Sequence, residues 1–321
     1  MSVPKILIAT SPFGAAGREP LDLLEQTGWD IVKNPKGRRL RAGEVEEMLE
    51  GIDGVIAGTE PYNADTLANV SGLRVIARVG IGLDSVDCAF CRDKGIAVTY
   101  TPDAPSQGVA ELTIGQMLNL VRGLHRTDRS VREKAWNRFM GRLFEELTIG
   151  IIGVGRIGKL VIKLLGPFGP KIIACDVEPD LEFGKAHSIK WADADTVFST
   201  ADLVSIHIPL NEKNHHFVGR REIALMGTGA LFINTSRGGV TDTEALTDAI
   251  VQGHLGGAAL DVFEQEPYEG PLTHYDNVAL SAHIGASARK SRYLMELGAA
   301  EDCIRVLDGE PPENPAPSPE S

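Results

Sequence analysis

The chain has 321 residues and a formal net charge of −12 at pH 7, with apolar and charged residues well mixed. That length makes room for two domains, each with its own core, and the acidity excludes partners bound through basic patches, nucleic acid and anionic membrane above all. No apolar run reaches the roughly 20 residues of a membrane span, and Met1 to Thr10 lacks the charged start and apolar centre of a signal peptide, so the expectation is a soluble cytoplasmic protein.

In chain order, Lys5-Ile6-Leu7-Ile8-Ala9-Thr10 predicts a buried strand that Pro12-Phe13-Gly14 breaks. Strand and helix patterns then alternate as far as Tyr100. Strands are expected over Asp30–Lys33, Gly54–Gly58, Arg74–Val79 and Ala97–Tyr100, helices near Gly17–Thr27, Gly43–Glu50, Asn63–Val70 and Asp84–Lys94. Continuous apolar strands in such alternation mean a parallel sheet covered on both faces. Cys88-Ala-Phe-Cys91 spells C-x-x-C, but no second Cys or His pair stands at ligand spacing, and the two read as small apolar residues on a helix face. With Cys175 and Cys303 the cysteines are too few and scattered for a disulfide framework, and no metal site is expected.

Thr101-Pro102-Asp103-Ala104-Pro105 marks the first domain boundary, because residues before proline are pushed extended. A long helix is expected from Ser106 to about Lys134, with Val109, Leu112, Ile114, Met117, Leu118, Leu120 and Val121 forming a broad apolar face suited to subunit contact. Next, Thr148 to Ile152 reads as a buried strand running into Gly153-Val154-Gly155-Arg156-Ile157-Gly158 and a helix. Gly153 suits a tight turn, Gly155 lets backbone N–H groups approach a pyrophosphate, and Gly158 lets helix and strand pack closely. The anion would sit at the helix N-terminus, where unpaired N–H groups and the macrodipole favour negative charge. Lys171 to Cys175 is a second strand, and Asp176 at its end stands where an acid accepts both hydroxyls of an adenosine ribose. Its charge would repel a 2′-phosphate, so NAD is favoured over NADP.

Further strands are expected over Leu203–Ile208, Ala230–Asn234, Gly257–Asp261 and Asn277–Ala282, with helices over Asp193–Ser199, Glu222–Met226 and Thr243–Gln252. A last helix from Ser287 to Leu307, with Leu294, Leu297, Ala300, Ile304 and Leu307 facing inward, is expected to return to the first domain. The Pro-, Glu- and Ser-rich tail from Gly309 to Ser321 reads as frayed. The fold class is thus α/β, with two doubly wound parallel sheets: residues 1–101 and 287–321 form a smaller flavodoxin-like substrate domain, residues 102–286 a Rossmann nucleotide domain.

Three residues fall at the ends of late strands, where ligands bind in open α/β sheets. They are Arg237 in Asn234-Thr235-Ser236-Arg237-Gly238-Gly239, Glu266 in Asp261-Val262-Phe263-Glu264-Gln265-Glu266-Pro267, and His283 in Ser281-Ala282-His283-Ile284-Gly285. An imidazole can carry the proton that hydride transfer at a secondary alcohol requires. A nearby carboxylate would fix its tautomer and raise its pKa, and a guanidinium fork can grip a carboxylate and polarise a developing alkoxide. The glycine-rich run Arg78-Val79-Gly80-Ile81-Gly82 could hold the carboxylate on its backbone N–H groups.

Together the glycine turn, Asp176, the Arg-Gly-Gly turn, Asp-Val-Phe-x-x-Glu-Pro and His-Ile-Gly-Ala-Ser resemble the D-isomer-specific 2-hydroxyacid dehydrogenases, from Ile6 to about Gly309. The likeness is to the short phosphoglycerate dehydrogenase-like branch, for which no appended regulatory domain is expected. It implies that His283 shuttles the proton, Glu266 holds it and Arg237 grips substrate. It also implies that Arg156, Ile157, Thr235, Ser236, Asp261 and Ala286 line the cofactor, and that the molecule is a homodimer. Arg78 matches a basic residue of the phosphoglycerate branch. Where that branch places another, Ala57-Gly58-Thr59-Glu60 offers none, although Arg38 and Arg39 could supply charge from another loop. The substrate therefore stays open between plain, phosphorylated and phosphonylated hydroxy acids. Two rivals share the scaffold: an NAD-sensing, corepressor-like binding protein, and a phosphite or formate type of dehydrogenase.

Overall fold

The computed structural model describes residues 3–317. The chain divides into two compact units, one running to Pro105 and including the segment from Ala286 onward, the other Ser106–Gly285. The first unit opens with β1 (Lys5–Ile8), α1 (Glu19–Gln26), β2 (Asp30–Lys33), α2 (Ala42–Met48), β3 (Gly54–Ala57), α3 (Ala64–Leu67), β4 (Val75–Arg78), α4 (Cys88–Asp93) and β5 (Ala97–Thr99). The five strands pair in parallel in the order β2-β1-β3-β4-β5. β3 and β4 are buried along their whole length, as strands covered on both faces must be. The order reverses between β1 and β3, and ligands of such sheets bind outside the strand ends at that switch point.

In the second unit come α5 (Ser106–Arg122), α6 (Leu124–Arg132), β6 (Thr148–Ile152), α7 (Arg156–Leu165), β7 (Lys171–Cys175), α8 (Leu181–Ala186) and β8 (Lys190–Trp191). They are followed by α9 (Ala194–Thr200), β9 (Leu203–Ile206), α10 (Arg220–Leu225), β10 (Leu231–Asn234), α11 (Thr243–Val251), β11 (Gly257–Leu260) and β12 (Val278–Leu280). Seven parallel strands run β12-β11-β10-β9-β6-β7-β8, the doubly wound nucleotide-binding order with its switch point between β6 and β9. One face is covered by α5 and α7, Val161 of α7 clustering with Ile149 and Ile151 of β6, the other by the helices around Phe198, Phe232 and Leu246. Finally α12 (Arg289–Asp308) packs on β3, β4 and β5 and against α1. Among the described residues, no helix is long and apolar enough to cross a membrane.

Three expectations need correction. The helix read from Ser106 to about Lys134 is two helices, broken at Gly123, whose φ of +59° lies in the left-handed region. A Cβ there would stand 2.5 Å from the Phe139 ring, so both the positive φ and a contact made sixteen residues later require glycine at the break. On α12, Leu294 is exposed, and the buried stripe runs through Ser291, Met295, Ala299 and Cys303 with Glu296 and Asp302 inside it. Both acids are satisfied: Glu296 accepts from the Gly14 N–H (2.8 Å) and Arg292, Asp302 from the N–H groups of Glu313 (2.7 Å) and Asn314. The tail is not frayed through Pro317, because the Ala316 N–H donates to Val98 O (2.8 Å) and Pro315 bridges to Thr99 along the edge of β5. Residues 318–321 lie outside the described residues.

Candidate active site

At the C-terminal edge of the second sheet, β6 ends in Gly153, whose φ of +92° and the His207 carbonyl oxygen, 2.7 Å from where a Cβ would stand, leave room for glycine alone. A Cβ on Gly158 would meet the Gly153 carbonyl oxygen at 2.1 Å, so the first turn of α7 lies on the strand end only because that position is bare. Around Gly155 the Cβ position faces open space, leaving the helix N-terminus accessible to an anion between Gly155 and the exposed Arg156. Asp176, just past β7, is anchored to the same turn: Oδ2 accepts from the Val154 N–H (2.5 Å) and Oδ1 from the Glu178 N–H (2.9 Å). These residues fit a dinucleotide: bare backbone where a pyrophosphate sits, and a carboxylate one strand away for a ribose.

Two strands along from β6, β10 ends in Asn234, a buried amide that organises the turn after it. Its Nδ2 donates to Arg237 O (2.8 Å) and Thr241 Oγ1 (3.1 Å), and its Oδ1 accepts from the Ser236 N–H and hydroxyl (2.9 and 2.8 Å). Arg237 donates through Nη1 to Ser236 O (2.7 Å). A Cβ on Gly238 would fall 1.9 Å from the Phe263 carbonyl carbon, so the turns after β10 and β11 touch through backbone. Thr235 is buried and its hydroxyl meets that of Thr113 at 2.8 Å.

Asp261 follows β11, fully buried, and its carboxylate is consumed by the turn after β12. Oδ1 accepts from Ser281 Oγ (2.6 Å) and the Ile284 N–H (2.9 Å), Oδ2 from the Gly285 N–H (2.8 Å), and its carbonyl accepts from the His283 N–H (2.8 Å). So clamped, His283 takes φ +53°, a left-handed conformation that side-chain-bearing residues hold only where their surroundings impose it. Its Nδ1 lies 3.0 and 3.2 Å from the two carboxylate oxygens of Glu266, and Glu266 Oε1 also accepts from the Phe263 N–H (3.1 Å). With a carboxylate as partner, Nδ1 is the donor, which leaves Nε2 as the atom that can exchange a proton with a ligand.

The other predicted positions are more dispersed. Arg78, Val79 and Gly80 belong to the first unit, Arg78 as the last residue of β4 and the other two just after it. There the Val79 N–H is taken by Ala57 O (2.9 Å), and the Gly80 N–H by Thr101 Oγ1 (2.8 Å) and Arg78 O (3.0 Å). Ala286 packs against the apolar cluster of that same unit. Ile157 is half-buried in the first turn of α7. The sequence reading missed the anchoring roles of Asn234 and Ser281. Both are polar residues at the ends of apolar strands, which is the only signal they give.

The remaining titratable groups are less suited to chemistry. Burial pushes His207 down to about 4, its Nε2 resting on Ser205 Oγ (2.9 Å) and its Nδ1 shut away without a partner. Burial likewise pushes the Cys91 and Cys303 thiols up to about 12. His215, His216 and Glu264 gather with their ligand atoms within 4.8 Å. The two rings stack 4.0 Å apart with planes only 26° from parallel, so their in-plane lone pairs do not converge on one ion.

A doubly wound sheet with this glycine turn, a ribose-type acid on the next strand and a carboxylate-held imidazole at the same sheet edge defines a dinucleotide-dependent oxidoreductase. Residues 114–285 match the NAD binding domain of D-isomer specific 2-hydroxyacid dehydrogenase. The chain belongs to that family, and NAD is its cofactor. It is 37% identical over 280 residues to glyoxylate reductase of Thermofilum pendens, covering 83% of each chain. To D-3-phosphoglycerate dehydrogenase of Methanocaldococcus jannaschii it is 37% identical over 277 residues, 84% of this chain but 53% of the other, so it spans about half the length of that relative. Its structure is similar, at a TM-score of 0.87 and 25% identity, to D-lactate dehydrogenase from Aquifex aeolicus complexed with NAD and lactic acid, covering 98% of this chain and 100% of that one.

Proposed function

We propose that the chain interconverts a D-2-hydroxy acid and its 2-keto acid, with NAD supplying the hydride chemistry at the reacting carbon. His283 takes the hydroxyl proton at Nε2 in oxidation and returns it in reduction, and Glu266 fixes the ring through Nδ1. Arg237 binds the substrate's oxygens and polarises the developing alkoxide. Gly153, Gly155, Arg156, Ile157 and Gly158 hold the pyrophosphate, and Asp176 takes the ribose hydroxyls and turns away a 2′-phosphate. Thr235, Ser236 and Ala286 line the nicotinamide half. Asp261, its carboxylate spent on the His283 turn, acts there by holding that turn. The Arg78–Gly82 loop is the first unit's own candidate for holding a carboxylate, its Gly80 N–H now held by Thr101 Oγ1 and Arg78 O.

One observation carries this reading: the His283–Glu266 pair at 3.0–3.2 Å, in a backbone held left-handed by Asp261. Purified protein with NADH and a panel of 2-keto acids is expected to lose absorbance at the nicotinamide band. His283→Ala should lower kcat by about a hundredfold or more at nearly constant KM, whereas Arg237→Ala should raise KM as well. Tight NADH binding without turnover across the panel would favour a sensor and overturn the proposal.

We further infer a cytoplasmic homodimer joined through α6 and the segment after it. Four free cysteines suit a reducing compartment. Leu124, Val131, Trp136, Met140 and Leu143 all leave more than half of their surface exposed, an apolar strip that a second copy would cover.

A further inference from the structure

We propose that Gln116, on α5, is a positioning residue for His283: its amide belongs to a string of hydrogen bonds that ends on the Asp261 carboxylate and so holds the His283 turn. This rests on the dehydrogenase reading above and adds to it a residue that acts through others rather than on the substrate. Every member of the string lies in the second unit.

The helix α5 lies against β10, β11 and β12, and three residues of its buried face meet the loops that carry the site. Val109 Cγ2 stands 3.1 Å from where a Cβ on Gly285 would be, the Thr113 hydroxyl meets that of Thr235 at 2.8 Å, and Gln116 Nε2 donates to Ser281 Oγ at 3.2 Å. Steps of four and three residues put positions 109, 113 and 116 on one side of a helix. Gln116 is 7% exposed, beside the buried Met117 and Leu120, where an amide is tolerated only with its hydrogen bonds made. An apolar residue of the same size would serve the packing of α5 equally well. The amide is needed by the turn, not by the helix.

The string has a single direction because one end of it is a group that can only donate. The chain breaks at Gly123, so the His125 N–H falls in the first turn of α6 and lacks a helical partner. Asn119 Oδ1 accepts from it at 2.9 Å, with the His125 ring Nδ1 on the same oxygen at 3.0 Å. The Asn119 amide is thereby fixed, its Nδ2 turned to Gln116 Oε1 at 3.3 Å. Gln116 is left with Nε2 on Ser281, and a serine oxygen that receives a hydrogen bond on that side sends its own proton onward. It goes to Asp261 Oδ1 at 2.6 Å. The same carboxylate takes the Ile284 N–H on Oδ1 (2.9 Å) and the Gly285 N–H on Oδ2 (2.8 Å). Asp261 is 1% exposed, so a donor lost from it is not replaced from solvent. The turn it holds carries His283 at φ +53°, a conformation that relaxes once its clamp loosens.

Gln116→Met keeps the volume of the side chain and removes the donor. In the protein without cofactor, amide hydrogen exchange followed by NMR should quicken about fivefold at Ile284 and Gly285, the scale of one neutral hydrogen bond, while the amides of β6 and β10 keep their rates. With NADH and the best keto acid of the panel, kcat should fall by a similar factor, and KM and the NADH dissociation constant read from fluorescence should stay within about twofold of native. In a Ser281→Ala background the same substitution should do nothing more, because Gln116 acts through that hydroxyl. Asn119→Ala, at a half-buried position, frees the Gln116 amide to turn and should quicken the same two amides by less, which gives a second reading should Gln116→Met melt early. Exchange unchanged at 284 and 285 in both variants, a KM that rises while kcat holds, or full additivity with Ser281→Ala would overturn the proposal. A native protein that turns over no keto acid strikes at the dehydrogenase reading instead, and the exchange rates still decide this one.

Discussion

His283 and His207 show how burial and backbone sort two imidazoles at one sheet edge. His283 is kept part-exposed on a carboxylate, and Asp261 spends its acceptors on the surrounding turn. His207 is held neutral by burial, its pKa pushed down to about 4 from an ordinary 6.5. Between those values the unfolded chain binds a proton that the folded chain refuses, so this group makes stability rise with pH across the window and fall as pH drops from about 6.5 toward 4. Its share of the slope is at most about 1.4 kcal/mol per pH unit. Urea titrations between pH 4 and 7 should show a shallower acid-side loss for His207→Asn than for the native protein; parallel curves would mean that the imidazole titrates freely. At this scale the pairing of His283 with Glu266 was legible in the sequence, because each closes a motif at a strand end. Asn234 and Ser281 were not, since their work is done by hydrogen bonds to turns whose shape only the fold supplies.

Elements were legible where one force decides them. Apolar runs between glycine and proline give strands within a residue or two, and every long parallel strand was visible that way. The two-residue β8 and the short α8 carry too little periodicity to read. The break between α5 and α6 was hidden for another reason: a glycine inside a helical pattern is usually tolerated, and neither its left-handed φ nor the Phe139 ring lying against it can be read from the sequence. Gly123→Ala would force a side chain into both the positive φ and that ring, and should cost about 2 kcal/mol or more. A thermal melt lowered by several degrees would bear this out, while an unchanged midpoint would show that the segment after α6 simply moves aside. On α12 the register was misread because two acids face inward, Glu296 satisfied by the Gly14 N–H and by Arg292 one turn away, Asp302 by backbone N–H groups beyond the helix end.

For the molecule as a whole, alternating strand and helix patterns were enough to give two parallel sheets, since each βα unit can cover only one face of one sheet. Self-association lies beyond what such patterns carry. Sedimentation or light scattering should find twice the 34.5 kDa chain mass. Met140→Asp with Trp136→Ser should lower it to one chain. A native protein that stays monomeric at micromolar concentration would remove the homodimer.

The helix covering Ile6, Ile8, Val75 and Ala77 is α12, and the entire second unit is translated between that strand face and its cover. On a ribosome the early sheet therefore waits, on the order of ten seconds or more at ordinary elongation rates, with an apolar face bare. The unbroken nucleotide-binding segment can meanwhile complete itself. Truncations that end before residue 289 should accordingly need chaperones for their N-terminal half alone, because the order of synthesis is not the order in which the halves become whole.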